Sequence, residues 1–306
     1  MEQRVRIGIV GAGVFGNYHA NKCAANPRID FVGVYDLDAA RAKAMAQKHD
    51  VISFDGYAEM LERVDAVIIA SAANHHGHMA KAASKAGKHS LIEKPIAATL
   101  DEAQQILDLS KQNGLIVQVG HQERFVAQAI GLADMPETPV SIRSYRMGKY
   151  SERGTDVSVT LDLMTHDIDL VLWLMGELPH TVTGTTQILH SDSSDVTEAS
   201  LAFTHGRAQL TASRAADTFK RVMEITYPSG TVNIDFNAKT LVHDMPFDLN
   251  IDFAASPVAS DSLGAATDSF VSSILDGTPI AVSAQDGYDA LKVALMIDHD
   301  DNTKRV

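Results

Sequence analysis

One lysine stands where its charge could act on a hydroxyl group. Lys94 follows a short apolar run and precedes a proline, so its backbone is extended and its side chain can point into a cleft. Its amine could orient a hydroxyl and stabilise the negative charge that grows on the oxygen as hydride leaves the carbon. A solvated lysine at a strand end, paired with Glu93, is the alternative, and the spacing does not choose between them.

A histidine and two carboxylates share one face of a predicted helix. Asp162, His166 and Asp169 follow i, i+4, i+7 spacing. Histidine titrates in the range needed to accept a hydroxyl proton, and a carboxylate one turn earlier could orient its ring. A hydrogen-bonded pair on a helix surface, or a histidine satisfied inside a domain interface, has the same spacing.

Three histidines occur close together in the segment Asn-His-His-Gly-His, residues 74–78, which is a pattern compatible with metal binding. We nevertheless predict no metal site here. Three histidines at the start of a helix cannot all point one way, and no cysteine or carboxylate of suitable spacing lies close by. We expect instead that Asn74 or His75 caps the helix and that His78 packs beneath a cofactor loop.

Several basic residues could form a cluster that binds an anion in an otherwise acidic protein. Arginine matches phosphate oxygens with two parallel hydrogen bonds, although solvation at the surface explains any single one equally well. The candidates are Arg124, Arg143, Arg146, Lys149, Arg153 and Arg214.

The N-terminal residues predict the element that would position a nucleotide. An apolar run, residues 4–10, leads into the sequence Gly-Ala-Gly-Val-Phe-Gly at residues 11–16. Gly11 permits a tight turn, Gly13 lets a pyrophosphate approach the backbone, and Gly16 lets helix and strand pack closely. Amides at the helix N-terminus would face the phosphates.

Asp36 ends a second apolar run, residues 31–35, and predicts which dinucleotide is bound. Its carboxylate would accept hydrogen bonds from the ribose hydroxyls and repel a 2′-phosphate, and the next residues offer no cation to receive one. The predicted cofactor is therefore NAD rather than NADP.

The remaining pattern predicts an α/β protein of two domains. Strands and helices alternate up to residue 119, which indicates a Rossmann domain with a doubly wound parallel sheet over residues 1–120. Residues 121–306 are predicted to form an α+β domain with one long helix at 157–175 and an open, mainly antiparallel sheet. Ligands are expected beyond the carboxyl ends of the parallel strands, at residues 71–78, 93–95 and 120–125.

The composition limits which binding partners and which cellular location we expect for the protein. The 306 residues carry a formal net charge of −13, which argues against nucleic acid or an anionic membrane as a partner. No apolar stretch is long enough to span a bilayer, and the first strand begins too early for a signal peptide. The single cysteine, Cys23, cannot form an intramolecular disulfide and is expected to pack in the core, so the predicted location is cytoplasmic.

Taken together, these motifs resemble the Gfo/Idh/MocA oxidoreductases from end to end. The resemblance implies that Lys94, Asp162 and His166 are catalytic, with His166 as base, that the Lys94–Pro95 bond is cis, and that the C-terminal sheet mediates dimers or tetramers. The implied cofactor-binding residues are Gly11, Gly13, Val14, Phe15, Gly16, Asp36, Ser71, Asn74, His78, Glu93, Lys94 and Gln122. The implied substrate-binding residues are Lys94, Arg124, Arg146, Asp162 and His166.

A narrower similarity concerns the substrate. Residues 119–125 and 161–169 resemble family members that oxidise C3 of UDP-N-acetylglucosamine during the synthesis of lipid A precursors. The chain differs from the common family pattern in lacking paired glycines before the catalytic aspartate. An inositol or aldose dehydrogenase is the first alternative, and a non-catalytic regulator that senses NAD is the second.

Overall fold

The alternation of apolar runs and amphipathic segments in the N-terminal part folds as a six-stranded parallel sheet with connecting helices. In the computed structural model, which describes residues 3–151, 154–299 and 304–305, the strand order is β3-β2-β1-β4-β5-β6. The strands are β1 Val5–Val10, β2 Ile29–Tyr35, β3 Ile52–Ser53, β4 Ala66–Ile69, β5 His89–Ile92 and β6 Val117–Val119. The helices are α1 Val14–Ala25, α2 Ala39–His49, α3 Tyr57–Arg63, α4 Ala73–Lys85 and α5 Leu100–Asn113.

Burial of these strands confirms the predicted fold class. All four residues of β4 are buried, as expected for a parallel strand covered on both faces by helices. The helices begin and end where local chemistry favours it: Thr99 caps α5 by accepting from the Glu102 N–H, and Gly114 ends it in the left-handed conformation.

The chain divides into two compact units, and the first of them is discontinuous. It consists of Met1–Gln122 together with Asp261–Tyr288, whereas the second consists of Glu123–Ser260 and Asp289–Val306. The chain first passes from one unit to the other between Gln122 and Glu123, close to the predicted boundary. The prediction that all residues from 121 onwards belong to the second domain differs from the structure, because residues 261–288 belong to the first unit. The second unit contains the helices α6 Glu123–Ile130, α7 Thr165–Met175 and α8 Pro257–Ser260. The next helix, α9 Ser262–Leu275, belongs to the first unit.

Apolar burial explains why α9 belongs to the first unit. Phe270 and Val271 lie in the same buried cluster as Ile7 and Ile9 of the central strand. The Gln118 side chain donates a 2.8 Å hydrogen bond to the Ala266 carbonyl of α9. Amphipathic spacing predicts a helix here, but it does not say which core the apolar face joins.

The second unit is an eight-stranded mixed sheet in the order β13-β12-β11-β7-β10-β9-β8-β14. Its strands are β7 Ser141–Met147, β8 Thr181–Ile188, β9 Val196–Ala202, β10 Arg207–Ser213, β11 Lys220–Tyr227, β12 Gly230–Asp235, β13 Thr240–His243 and β14 Lys304–Arg305. Neighbours are antiparallel apart from β7 with β10 and β8 with β14, which agrees with the mainly antiparallel sheet predicted. The last helix, α10 Ala284–His299, begins in the first unit and ends in the second.

One face of this sheet is covered and the other is open. Along β7 the side chains of Ile142, Ser144 and Arg146 are buried, whereas those of Arg143 and Tyr145 are exposed. We call the side that carries Arg143 and Tyr145 the outer face and the other side the inner face. This strict alternation is typical of an antiparallel sheet with helices on one side only.

The long helix predicted at residues 157–175 is not uniform. It starts as a π-helical segment, Thr160–Met164, and continues as α7 to Met175, where Gly176 ends it with a φ of 69°. Single π turns inside α-helices are often found at functional sites. Residues 245–262, predicted as a loop, include a short 3₁₀ turn, Phe253–Ala255, and α8.

Within the described ranges, no helix combines the length and the apolar character needed to cross a bilayer.

Truncation of Phe270 tests whether α9 is part of the first unit. Phe270→Ala should destabilise that unit by about 3–5 kcal/mol, the usual cost of removing a buried phenyl ring. The matched control is Phe219→Ala, because Phe219 is 69% exposed. Denaturant unfolding with and without NAD measures both, and an unchanged unfolding free energy for Phe270→Ala would contradict the discontinuous first unit.

Candidate active site

The glycine turn after β1 depends on close backbone contacts. Gly11 has a φ of 101°, and a Cβ there would lie 2.6 Å from the Ala70 carbonyl oxygen. A Cβ on Gly16 would collide with the carbonyl oxygen of Gly11. These two glycines therefore let α1 pack directly against the strand ends, as the sequence predicted.

Gly13 is different, because a Cβ on this residue would meet no atom within 4 Å. It precedes α1, whose first turn has no side-chain cap among the described residues. Val14 and Phe15 form that first turn and are half-buried or exposed. An open approach to uncapped amides at the positive end of a helix suits a pyrophosphate, so the residues present fit the dinucleotide.

The Asp36 carboxylate lies against the same turn. It accepts hydrogen bonds from the backbone N–H groups of Ala12, at 2.5 Å, and Asp38, at 2.7 Å. Each carboxylate oxygen has two lone pairs, so both can still accept a ribose hydroxyl. The negative charge at this position fits NAD and disfavours a 2′-phosphate.

A buried hydrogen-bonded pair of side chains lies next to Lys94, just beyond the end of β5. The Nε2 atom of His19, on α1, is 2.8 Å from Oε1 of Glu93, and both side chains are almost fully buried. Burial pushes the pKa of Glu93 upward, but the hydrogen bond and charge of His19 and the charge of Lys94 outweigh it, so the pKa lies below its ordinary value. Glu93 therefore stays ionised next to Lys94.

Lys94 itself is half-buried and is followed by a cis peptide bond to Pro95, which confirms the expectation from the family resemblance. The Gln122 side chain approaches Glu93 at 3.5 Å, and a Cβ on Gly120 would lie 2.9 Å from the same carboxylate. The ends of β5 and β6 thus converge on Glu93. The sequence predicted this edge of the sheet, but it did not single out His19, which carries no motif of its own.

In the histidine run, the buried member is His76 rather than His78. Its Nδ1 atom is 2.7 Å from the Pro95 carbonyl oxygen and its Nε2 atom is 3.0 Å from that of Ser71. Burial lowers the pKa of the ring more than the two carbonyls raise it. The His76 ring thus lies between the backbone segments that follow β4 and β5.

Two expectations for this run are wrong. The helix begins at Ala73 with Ala72 as its cap residue, so neither Asn74 nor His75 caps it. The His78 side chain is exposed and does not pack beneath a loop. Over the ranges that the structure describes, no group of three or more His, Cys, Asp or Glu side chains could hold a metal ion.

In the second unit, Asp162 lies in the π segment and His166 in the first turn of α7, and both are half-buried. A Cβ on Gly154, which has a φ of 78°, would lie 2.6 Å from Oδ2 of Asp162. A glycine does therefore stand against this carboxylate, although the paired glycines of the family pattern are absent from residues 155–160.

Asp169, on the same predicted face, is buried in a two-point ion pair. Arg124 donates from Nε and Nη2 to its two oxygens, both at 2.8 Å. The guanidinium carbon also lies 5.5 Å from the ring centroid of Trp173. Arg124 thus ties α6 to α7.

Arg146 makes a similar pair. It donates to both oxygens of Asp167, at 2.9 and 3.1 Å, and to Glu123 at 3.0 Å. Burial opposes the charge, but the two carboxylates raise the pKa of Arg146 above its ordinary value. The prediction that Arg124 and Arg146 bind substrate is not supported by this geometry, because both guanidinium groups are buried and directed at carboxylates of their own unit.

The other predicted basic residues do not form one cluster. Arg214 is buried and donates to the carbonyls of Gly154, at 2.7 Å, and Val157, at 2.8 Å. It therefore holds the segment that precedes the helix carrying Asp162 and His166, which we call the site helix (the π segment together with α7). Arg143 and Lys149 are exposed, and Arg143 pairs with Glu224 at 3.6 Å. Arg153 lies outside the described residues.

A carboxylate that the sequence did not suggest fastens the start of the site helix. Asp298, near the end of α10, accepts hydrogen bonds from the hydroxyls of Ser158, at 2.5 Å, and Thr160, at 2.6 Å. Burial raises its pKa above the ordinary value. No local pattern marks Asp298, because its partners lie about 140 residues earlier in the chain.

Comparison with known proteins agrees with this fold. Residues 5–121 match the oxidoreductase family with an NAD-binding Rossmann fold known as Gfo/Idh/MocA, and residues 134–233 match the C-terminal domain of that family. The chain therefore belongs to the Gfo/Idh/MocA family. It is an NAD-binding oxidoreductase that acts on CH–OH groups.

Several members are similar over most or much of the chain. UDP-N-acetylglucosamine 3-dehydrogenase from Acidithiobacillus ferrooxidans is 29% identical over 96% of both chains, and its structure has a TM-score of 0.89 at 29% identity and the same coverage. The scyllo-inositol 2-dehydrogenase (NAD(+)) of Bacillus subtilis is 31% identical over 62% of this chain and 60% of its own. GenD2 from gentamicin A biosynthesis, solved with NAD, shares the fold at 21% identity, with a TM-score of 0.84 over 96% of this chain and 93% of that one.

Gly13→Ala tests the phosphate end of the site. With a φ of −76° and an open surrounding, the methyl group should fit the fold but stand where the pyrophosphate approaches. We expect NAD binding, measured by calorimetry, to weaken by about tenfold or more, which is about 1.4 kcal/mol per factor of ten.

Gly56→Ala is the matched control, because Gly56 also precedes a helix and also has no neighbour within 4 Å of a Cβ. Both variants should lose a similar, small stability of about 1 kcal/mol or less from the poorer N-cap. Equal NAD affinity in both variants would rule out Gly13 as a phosphate contact.

Proposed function

We propose that this protein is an NAD-dependent dehydrogenase that oxidises the C3 hydroxyl of UDP-N-acetylglucosamine to a 3-keto sugar. The observation that carries the proposal is the similarity to UDP-N-acetylglucosamine 3-dehydrogenase over 96% of both chains. Among the sequence relatives, the scyllo-inositol 2-dehydrogenase of Bacillus subtilis matches a shorter part, 62% of this chain. Solved inositol dehydrogenases share the fold over 95–98% of the chain, but at only 22–23% identity.

In the proposed mechanism, His166 accepts the proton of the substrate hydroxyl and Asp162 orients the imidazole. Both side chains are half-buried, so they combine access to a substrate with partial exclusion of water. Bound NAD supplies the hydride acceptor. Proton removal by a positioned base contributes about 10²–10⁴ in rate.

Lys94 has the complementary role on the same hydroxyl. Its ammonium group would hold the oxygen and stabilise the charge that develops as the C–H bond breaks. The ionised Glu93, held by the His19 side chain, places a negative charge next to Lys94. Ser71, Asn74, Gln122 and the glycine turn are proposed as cofactor contacts.

The test compares substrates in an assay of NADH formation. We expect turnover with UDP-N-acetylglucosamine and little with myo-inositol, and His166→Ala should lower kcat by about 10²–10⁴. His205→Ala is the control, since His205 is an exposed histidine of the same unit. Turnover of inositol alone would select the first alternative function.

NAD binding with no turnover of either class of substrate would favour the second alternative, a regulator that senses NAD. Near-normal turnover in His166→Ala would remove the proposed base while leaving the substrate assignment intact.

We further propose that the outer face of the eight-stranded sheet joins copies of this chain into a dimer or tetramer. This face exposes Tyr145, which is 37% accessible, and Val242, which is 68% accessible. Lys220 lies over the Tyr145 ring, with Nζ 4.0 Å from its centroid. A broad sheet surface of mixed apolar and charged side chains suits association face to face.

Light scattering of the intact protein tests this proposal. The wild type should have the mass of a dimer or tetramer, and Tyr145→Asp should shift it towards the monomer by placing a charge in the interface. The control is Leu37→Asp, at a 70% exposed leucine of the first unit, which should leave the mass unchanged. A monomeric wild type would contradict the proposal.

A reducing, cytoplasmic location is also proposed. It is supported by Cys23, the single cysteine, which is buried and whose thiol pKa is raised by burial to about 12, so the thiol stays protonated.

A further inference from the structure

The first two residues of β11 place cations on opposite faces of the sheet. Lys220 lies on the outer face, over Tyr145. Arg221 is directly opposite Arg146 in the antiparallel register of β11 and β7. Because directly opposed residues share a face, Arg221 lies on the inner face, with the site helix.

The two opposed arginines differ in what they contact. Arg146 is 3% accessible, and its guanidinium forms ion pairs with Asp167 and Glu123. Arg221 is exposed, and no hydrogen bond or ion pair joins its guanidinium to another described residue. Arg146 thus has a structural role, whereas the charge of Arg221 is accessible to solvent.

Arg221 lies opposite Arg146, which pairs with Asp167 of α7, so Arg221 stands close to the helix that carries His166. Partial burial and the charge of Arg146 lower the pKa of Arg221, and Glu123, Asp167 and Asp162 raise it to a smaller extent. An arginine remains protonated at neutral pH in any case.

Arg221 is not needed to neutralise the acidic side chains near it. Asp167 and Glu123 already have hydrogen-bonded partners in Arg146, so removing Arg221 would leave both paired. Arg221, at the start of the neighbouring strand, is exposed, whereas the predicted substrate residues Arg124 and Arg146 are buried.

We propose that Arg221 binds the diphosphate of a nucleotide-sugar substrate. The proposal rests on the proposed function, because an inositol or a free aldose has no anionic group for the exposed guanidinium to pair with. A planar guanidinium donates two parallel hydrogen bonds to phosphate oxygens, which lysine cannot do. Arg221 would thereby select nucleotide-activated sugars over uncharged polyols.

Calorimetric titration of the NAD-loaded protein with UDP and with uridine tests this assignment. Arg221→Gln should weaken UDP binding by about tenfold to a hundredfold, the range expected for a hydrogen bond to a charged group, and should leave uridine binding unchanged. Arg221→Lys should fall in between, because it keeps the charge but loses the two-point geometry. Arg207→Gln, at an exposed arginine that begins β10, is the matched control and should behave as wild type.

Kinetics supply a second readout. Arg221→Gln should raise KM for UDP-N-acetylglucosamine with little change in kcat, since the contact is made equally in the ground and transition states. Its NAD affinity and thermal unfolding should match wild type, which separates loss of a ligand contact from loss of the fold.

The outcomes distinguish this inference from the function beneath it. Wild-type protein that binds UDP, together with Arg221→Gln that binds it equally well, overturns the role of Arg221 alone. Wild-type protein that fails to bind UDP and oxidises inositol overturns the proposed function and this inference together. Equal losses of UDP and uridine binding would show that Arg221 supports the fold and not the diphosphate.

Discussion

Two buried charge pairs fix the helix on which the proposed chemistry depends. Asp167 and Asp169 are two residues apart in α7, and both are buried, where an unpaired carboxylate is costly. Arg146 and Arg124 each meet one of them with a two-point contact. Removing one partner of such a pair usually costs about 3–5 kcal/mol. The rotation of α7 about its axis is therefore set, and His166 is left half-exposed.

The N-terminal unit uses a different constraint. Its site is built from close backbone approach at the glycine turn, with charge added at the edges by Asp36 and by the pair of Glu93 with His19. In one unit glycines make room for a phosphate, and in the other arginines hold a helix in place. The two kinds of order suit their tasks, since a dinucleotide is bound largely by backbone and a sugar hydroxyl is handled by side chains.

Features governed by local physics could be predicted from the sequence, and those governed by distant packing could not. The glycine turn directly follows β1 and Asp36 directly follows β2, so each is marked by its place after an apolar run, and together they predicted the fold of this unit and its cofactor. The roles of Arg124 and Arg146 depended on which carboxylates the tertiary fold brought to them, and spacing cannot show that. The packing of α9 against the core of the first unit could not be predicted for the same reason, because amphipathic spacing does not show which core a helix will join.

The central claim is that hydride leaves C3 of a nucleotide-activated amino sugar for the nicotinamide of NAD. UDP-N-acetylglucosamine carrying deuterium at C3 tests it directly, with mass spectrometry of the reduced cofactor as the measurement. The account predicts that one deuterium appears in the NADH formed, and that turnover slows relative to the unlabelled sugar if hydride transfer limits the rate. Reduced cofactor without deuterium, or no reduced cofactor at all, would contradict it.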